Sequence, residues 1–247
     1  MVESDTRNAI RGRLRTQTEV LQKNLSQACI DISKQTKKEV LIIIDDLDKL
    51  DTKFAEQIFF KDSQLLTLLE TKVIFTFPLD TYYDAQYLKF KDSYEPLFIS
   101  LVNLSDYEGN YQEDSLEKLK RLVYMRIDEN IITETALKSL VDKSGGLLRD
   151  LIKFMQDACM MAIKTKSEII DNTVSEQVIN SLKIDYYRLF DFPKYEDKVK
   201  EIMHNRDIKI DNEILMYLLR YLFVLEYRHK DKLWYDAHPC LKDVIKD

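Results

Sequence analysis

Five aliphatic residues in a row, Val40-Leu41-Ile42-Ile43-Ile44, run directly into Asp45-Asp46-Leu47-Asp48. A run that short and that apolar reads as a strand buried on both faces, the condition of a strand inside a parallel sheet. Aspartate is a poor strand residue, so the strand is expected to stop at Asp45. The acids then fall at the carboxyl end of an inner strand, where open α/β sheets bind their ligands. Adjacent carboxylates at such a place suit a hydrated Mg²⁺ and a water to be activated.

The rest of the chain favours helix. Only four glycines and four prolines occur among 247 residues, too few for a turn-rich all-β fold. The length allows one large domain or two to three small ones. A net charge of −6 excludes a general polyanion binder. Cys29, Cys159 and Cys240 are scattered and form no C-x-x-C pair, which fits a reducing cytoplasm and offers no metal site. His204, His229 and His238 lack ligand spacing, and no Ser-His-Asp or Cys-His set is recognisable. The polar start Met1-Val2-Glu3-Ser4-Asp5 does not read as a signal peptide, and no apolar run approaches the ~20 residues of a membrane span.

Read along its length, the chain begins with one long helix over 5–36, with Leu14, Val20 or Leu21, Leu25, Cys29 and Ile32 at helical spacing. After the strand at 40–44, Phe54, Ile58 and Phe59 suggest a short helix, followed by the apolar run Leu65–Leu69. A second buried strand is expected over 72–77, stopped by Pro78, and a third over 97–102. The polar segment 105–114, carrying Gly109, is a candidate domain boundary. Helices follow from Ser115 to about Lys183, with Thr133 as one N-cap and Asp171 or Thr173 as another. Ser144-Gly145-Gly146 breaks this series. Two more helices are expected over 195–204 and 212–222. The alternating segments 223–228 and 233–238 then read as a β-hairpin around a polar turn, His229 to Lys232. Trp234, Tyr235 and His238-Pro239, near the end of that hairpin, read more readily as packing groups than as partner contacts.

The strand with its paired acids resembles the Walker B strand of P-loop ATPases of the AAA+ and STAND type. The helices after it resemble their lid, and the helices with the hairpin resemble a winged helix. The implied fold class is α/β, mainly helical: a partial parallel P-loop NTPase core over 1–106, a helical lid over 112–185 and a winged-helix domain over 193–247. The resemblance implies that Asp45 holds Mg²⁺ through water and that Asp46 activates the attacking water. It implies a sensor-1 role for Thr76, which otherwise is simply a good strand residue. Gly145-Gly146-Leu147-Leu148-Arg149-Asp150 looks like the sensor-2 motif, in which the Arg149 guanidinium reaches a phosphate; otherwise Arg149 is solvated or paired with Asp150. Asp48 reads as the cap of the next turn. Arg121 and Arg126 are weaker candidates for an arginine finger offered to a neighbour.

Half of the nucleotide signature is missing. Gly12, Gly109, Gly145 and Gly146 are the only glycines, and no G-x-x-x-x-G-K-[ST] can be built from them. The chain therefore reads as the second half of a larger ATPase, as a pseudo-ATPase with a closed sheet, or as a smaller sheet lacking the strand at 97–102. ATP and Mg²⁺ are implied for the complete protein, with weak or no binding to this chain alone. The implied partners are another copy, a homologous ATPase subunit, or an N-terminal piece carrying Walker A. DNA is a poorer match, because residues 193–247 carry eleven Lys plus Arg against eleven Asp plus Glu. The rival expectation is a catalytically dead regulatory or scaffold module, nucleic-acid linked through the winged helix.

Overall fold

A computed structural model describes residues 2–62, 71–91, 94–206 and 211–245. The apolar run Leu65–Leu69 lies outside the described residues. Contacts divide the chain into two compact units, Met1–Leu97 and Phe98–Asp247, so the division falls before the polar segment 105–114 rather than within it.

In the first unit the long helix α1 spans Val2–Thr36. Its buried side carries Gln22, Ser26 and Cys29, while Leu21, Leu25 and Ile32 are exposed, so the apolar stripe read from the sequence points largely outward. Strand β1, Leu41–Ile44, pairs in parallel with β2, Lys72–Phe75, in the register Leu41↔Lys72 through Ile44↔Phe75. Among the described residues this sheet has two strands. Its inner face, with Ile44 and Phe75, joins Phe77 around buried Ala55, Phe59 and Tyr87. Phe59 packs on Phe75 at 5.6 Å and on Phe77 at 4.6 Å between ring centroids. The outer face is open: Leu41, Ile43 and Ile74 are 49, 68 and 52% exposed. The expectation of a strand buried on both faces is therefore corrected. The β-branched run secures the strand conformation, but alternate side chains point to opposite faces and only one face meets the core.

A second correction concerns 97–102, which forms no strand. Pro96 cannot donate to a ladder, Leu97 and Ile99 are 82 and 97% exposed, and the Val102 amide donates to the Gly146 carbonyl at 3.3 Å instead. Beyond β1, helix α2 (Thr52–Glu56) is capped by Asp51, whose carboxylate accepts from the Phe54 amide at 3.0 Å, and it continues as a wider turn over Gln57–Lys61. Two single-turn helices, α3 (Leu79–Tyr82) and α4 (Tyr87–Phe90), follow β2.

Among the described residues the second unit is helical with one hairpin. Its helices are α5 (Glu113–Tyr124), α6 (Glu134–Lys143), α7 (Leu148–Thr165), α8 (Asn172–Leu189), α9 (Phe192–His204) and α10 (Asn212–Arg220). Thr133 caps α6 as the sequence indicates, accepting from the Ala136 amide at 3.3 Å, and of the two candidates for α8 the cap is Asp171, which accepts from the Val174 amide at 3.0 Å. Strands β3 (Val224–His229) and β4 (Lys232–Ala237) pair antiparallel with His229 opposite Lys232. The turn is thus Lys230-Asp231, shorter than the polar run suggested, and Lys230 takes the positive φ of 52° that a tight hairpin requires. Trp234 is buried, stacked on Tyr227 at 5.7 Å and edge-on to Tyr107 at 6.1 Å. No helix among the described residues is long and apolar enough to cross a membrane.

A short helix, α11 (Pro239–Lys242), follows β4 and is clipped to the helices by charge. Lys143 and Lys183 each place Nζ 2.5 Å from Asp243 Oδ2. Burial alone would raise the Asp243 pKa, but the hydrogen bonds from the two ammonium groups outweigh it and hold the carboxyl below the usual range. A depressed carboxyl stabilises the fold above its unfolded pKa and loses that contribution as pH falls through the folded value. Asp243→Asn is expected to cost about 1–2 kcal/mol at pH 7. In urea melts the gap between variant and wild type should narrow as pH falls below about 3.9, where free aspartate titrates, and should close once pH is below the depressed folded value.

Candidate functional site

The carboxyl ends of β1 and β2 bring the sequence-read acids and Thr76 together. The Ile44 carbonyl accepts from the Thr76 amide at 3.1 Å, so pairing continues one residue beyond β2 and sets Thr76 beside the acidic turn. Thr76 lies between Phe75 and Phe77, both packed on Phe59, and these two rings fix its backbone.

The turn itself is tight. Asp45 Oδ1 accepts from the Asp46 amide at 2.8 Å. Asp46 adopts φ 68°, ψ 5°, a left-handed conformation that aspartate tolerates better than most residues. A single 3₁₀ turn over Leu47–Lys49 follows. The Asp48 amide donates to Thr76 Oγ1 at 3.2 Å, tying the turn to the neighbouring strand end. That hydroxyl retains its own proton as a donor. One carboxylate oxygen from each of Asp45, Asp46 and Asp48 lies within 4.8 Å of the others, and Asp45 and Asp46 are exposed. Asp48, expected as a turn cap, thus joins the acids, and the cap of α2 is Asp51. Three carboxylates this close repel unless a cation compensates. Lys49 supplies part of that compensation, with Nζ 2.5 Å from Asp46 Oδ1. The donor set, all hard oxygen, fits Mg²⁺ or Mn²⁺ and is a poor match for softer metals.

Arg149 belongs to the second unit, in the first turn of α7. Its side chain is exposed and makes no ion pair or side-chain hydrogen bond among the described residues. Asp150 does not neutralise it: Asp150 Oδ2 lies 3.0 Å from Nε2 of fully buried His238, whose Nδ1 accepts from the Cys240 amide at 3.1 Å. The preceding glycines have packing duties invisible in the sequence. Gly145 has φ 60° and its carbonyl accepts from the Tyr227 hydroxyl at 2.8 Å. Gly146 has φ 78°, and a Cβ there would sit 1.8 Å from the Val102 carbonyl oxygen. Arg126 donates to the Leu122 carbonyl of its own helix at 2.9 Å, which accounts for it locally. Sequence reasoning missed Asp48 as a cluster member and Lys49 as its counter-charge. Both stand within three residues of Asp46, and the carboxylate count alone was the available signal.

No protein-family model matches the chain, and no curated protein matches it. Two solved structures do, both variants of Thermotoga maritima RuvB. They are 13% identical, cover 83% of this chain and 69% of their own, and align with TM-scores of 0.38 and 0.36. A likeness that loose does not by itself define a family.

Proposed function

We propose that this chain is part of an ATP-binding and -hydrolysing switch ATPase of the AAA+/STAND type, supplying the Mg²⁺-side acids and the sensor groups but not the phosphate cradle. The observation that carries this reading is the cluster of Asp45, Asp46 and Asp48 at the carboxyl end of a parallel strand, hydrogen-bonded through the Asp48 amide to Thr76 on the next strand. In this reading the first unit, to Leu97, is the α/β core rather than 1–106, with 112–185 the lid and 193–247 a winged helix.

The residues divide the work as follows. Asp45, already oriented by the Asp46 amide, holds Mg²⁺ through water. Asp46 takes a proton from the attacking water once Lys49 has left it. Thr76 donates its hydroxyl proton to that water or to a phosphate oxygen, and Arg149 offers forked donors to the terminal phosphate. Mg²⁺·ATP, when bound, supplies the charge neutralisation that makes phosphoryl transfer feasible. The triphosphate needs backbone amides that no glycine-rich loop of this sequence provides, so another polypeptide segment carries them: an N-terminal piece, a homologous subunit or a second copy. The open outer face of the sheet, with Leu41, Ile43 and Ile74 exposed, is compatible with such a neighbour.

The second reading, a catalytically dead regulatory or scaffold module, draws on the Lys49–Asp46 ion pair, which occupies the proposed general base. Calorimetry tests the proposal. The chain alone is expected to give no heat of ATP binding at micromolar concentrations with Mg²⁺ present, and ATP hydrolysis is expected only after the phosphate-loop segment is supplied, then lost in Asp46→Asn. Micromolar ATP affinity of this chain alone, or hydrolysis undiminished by Asp46→Asn, would overturn it.

A further inference from the structure

His238 joins β4 to α11 and is fully buried. Its backbone amide donates to the Phe223 carbonyl at 3.0 Å, which fixes the base of the side chain. The two ring nitrogens face different partners. Nδ1 accepts from the Cys240 amide at 3.1 Å and so caps α11. An amide N–H can only donate, so Nδ1 carries no proton and the proton of the neutral ring sits on Nε2. Nε2 lies 3.0 Å from Oδ2 of Asp150, in the first turn of α7. The Tyr186 ring of α8 packs on the imidazole, centroids 4.9 Å apart, and α11 itself rests on α8 and α6.

We propose that α11 is a latch released by mild acid, fastened by the uncharged His238 ring and unfastened when that ring takes a second proton. The second proton has only Nδ1 to bind. It would set two N–H donors, those of Nδ1 and of Cys240, against each other in a space closed to water, so the charged ring cannot cap. Asp150 supplies the opposing pull, because its carboxylate favours an imidazolium on the other side. Charge and cap therefore compete for one ring. The latched state holds the ring with one proton and the released state takes up a second, so falling pH favours release. Once released, the ring meets water and titrates near the ordinary histidine value of about 6.5, which sets the window. Its neighbours keep their charge across that window. Burial pushes the Cys240 thiol up to about 12 and holds the Tyr186 hydroxyl well above its usual range. Against the burial of the Asp243 carboxyl, hydrogen bonds from Lys143 and Lys183 hold it below the usual range, so the far end of α11 stays clipped. Lys242, in the last turn, also pairs with Asp236 of β4 at 2.6 Å. Release therefore starts at the first turn and uncovers Cys240 and Leu241, both fully buried in the latched state. The inference stands whether or not the chain handles nucleotide.

Amide exchange of the full chain tests it, each rate being divided by the intrinsic rate at the same pH. Between pH 7.5 and 5.5 the protection of the Cys240 amide should fall about tenfold, the factor expected for one group titrating near 6.5 in the released state. Buried Val178 of α8 should keep its protection over the same interval. In His238→Asn the side-chain oxygen can cap without titrating, so the fall at Cys240 should shrink to less than twofold. The ¹⁵N shifts of the wild-type ring read its tautomer without any variant, and at pH 7.5 they should show a bare Nδ1 and a protonated Nε2. A proton on Nδ1 at pH 7.5, undiminished protection of the wild-type Cys240 amide at pH 5.5, or an equal fall in His238→Asn would overturn the proposal.

Discussion

Gly146→Ala is expected to unfold or nearly unfold the second unit. Two costs combine. The φ of 78° is left-handed, which strains any residue with a Cβ by about 1–2 kcal/mol. The added methyl would also lie 1.8 Å from the Val102 carbonyl oxygen, a backbone atom that cannot rotate away as a side chain would. Relief requires lifting the strap, with loss of the Val102–Gly146 hydrogen bond and of the Leu101 packing. The sum should reach about 3–5 kcal/mol, a large share of the ~5–15 kcal/mol that holds a typical domain together. Urea unfolding followed by far-UV dichroism measures it. Gly109→Ala is the control: its φ of 92° is equally left-handed, but nothing lies within 4 Å of the added Cβ. It should cost only about 1–2 kcal/mol. Equal losses in the two variants would show that strain alone acts and that the close approach to Val102 does not.

Trp234→Ala should be comparably severe for a different reason. The indole is 1% exposed, stacked on Tyr227 and edge-on to Tyr107, with Leu225, Leu101 and Leu222 around it. Deleting it leaves a cavity that a two-stranded hairpin cannot collapse to fill, and buried Trp or Phe to Ala substitutions cost about 3–5 kcal/mol. By the usual scaling the thermal midpoint should fall by roughly 6–20 °C. A fall of less than about 3 °C in calorimetry would mean that Trp234 is not a core residue in solution.

Local features of this fold were legible before any coordinates. Thr133 and Asp171 cap helices because a hydroxyl or carboxylate three residues before an amide satisfies it whatever lies elsewhere in the chain. The hairpin followed from two alternating segments around the polar run His229 to Lys232, though its turn is only Lys230-Asp231, and the strand ended where Asp45 begins. Features requiring distant partners were not legible. The run Val40–Ile44 gave the conformation of β1 but not the exposure of Leu41 and Ile43, which depends on what packs against each face. Residues 97–102 have strand composition, yet their backbone partner is Gly146, 44 positions after Val102. Gly145 and Gly146 could be read as a helix break, while the Tyr227 and Val102 contacts that demand glycine come from opposite ends of the unit. Asp150 stands 88 residues from its histidine, so no local pattern could separate it from Arg149. At the candidate site the acids were visible because they are consecutive; their link to Thr76, 28 residues on, became visible only through strand pairing.

Whether Asp45, Asp46 and Asp48 form a cation site decides the nucleotide reading of this chain. Electron paramagnetic resonance of free Mn²⁺ tests this directly, since protein-bound ion leaves the six-line spectrum of the aqueous ion. One Mn²⁺ per chain should disappear from that signal at millimolar concentrations, displaceable by Mg²⁺, and Asp45→Asn combined with Asp46→Asn should restore the free signal in full. A wild-type chain that depletes Mn²⁺ no more than the double variant would contradict the account.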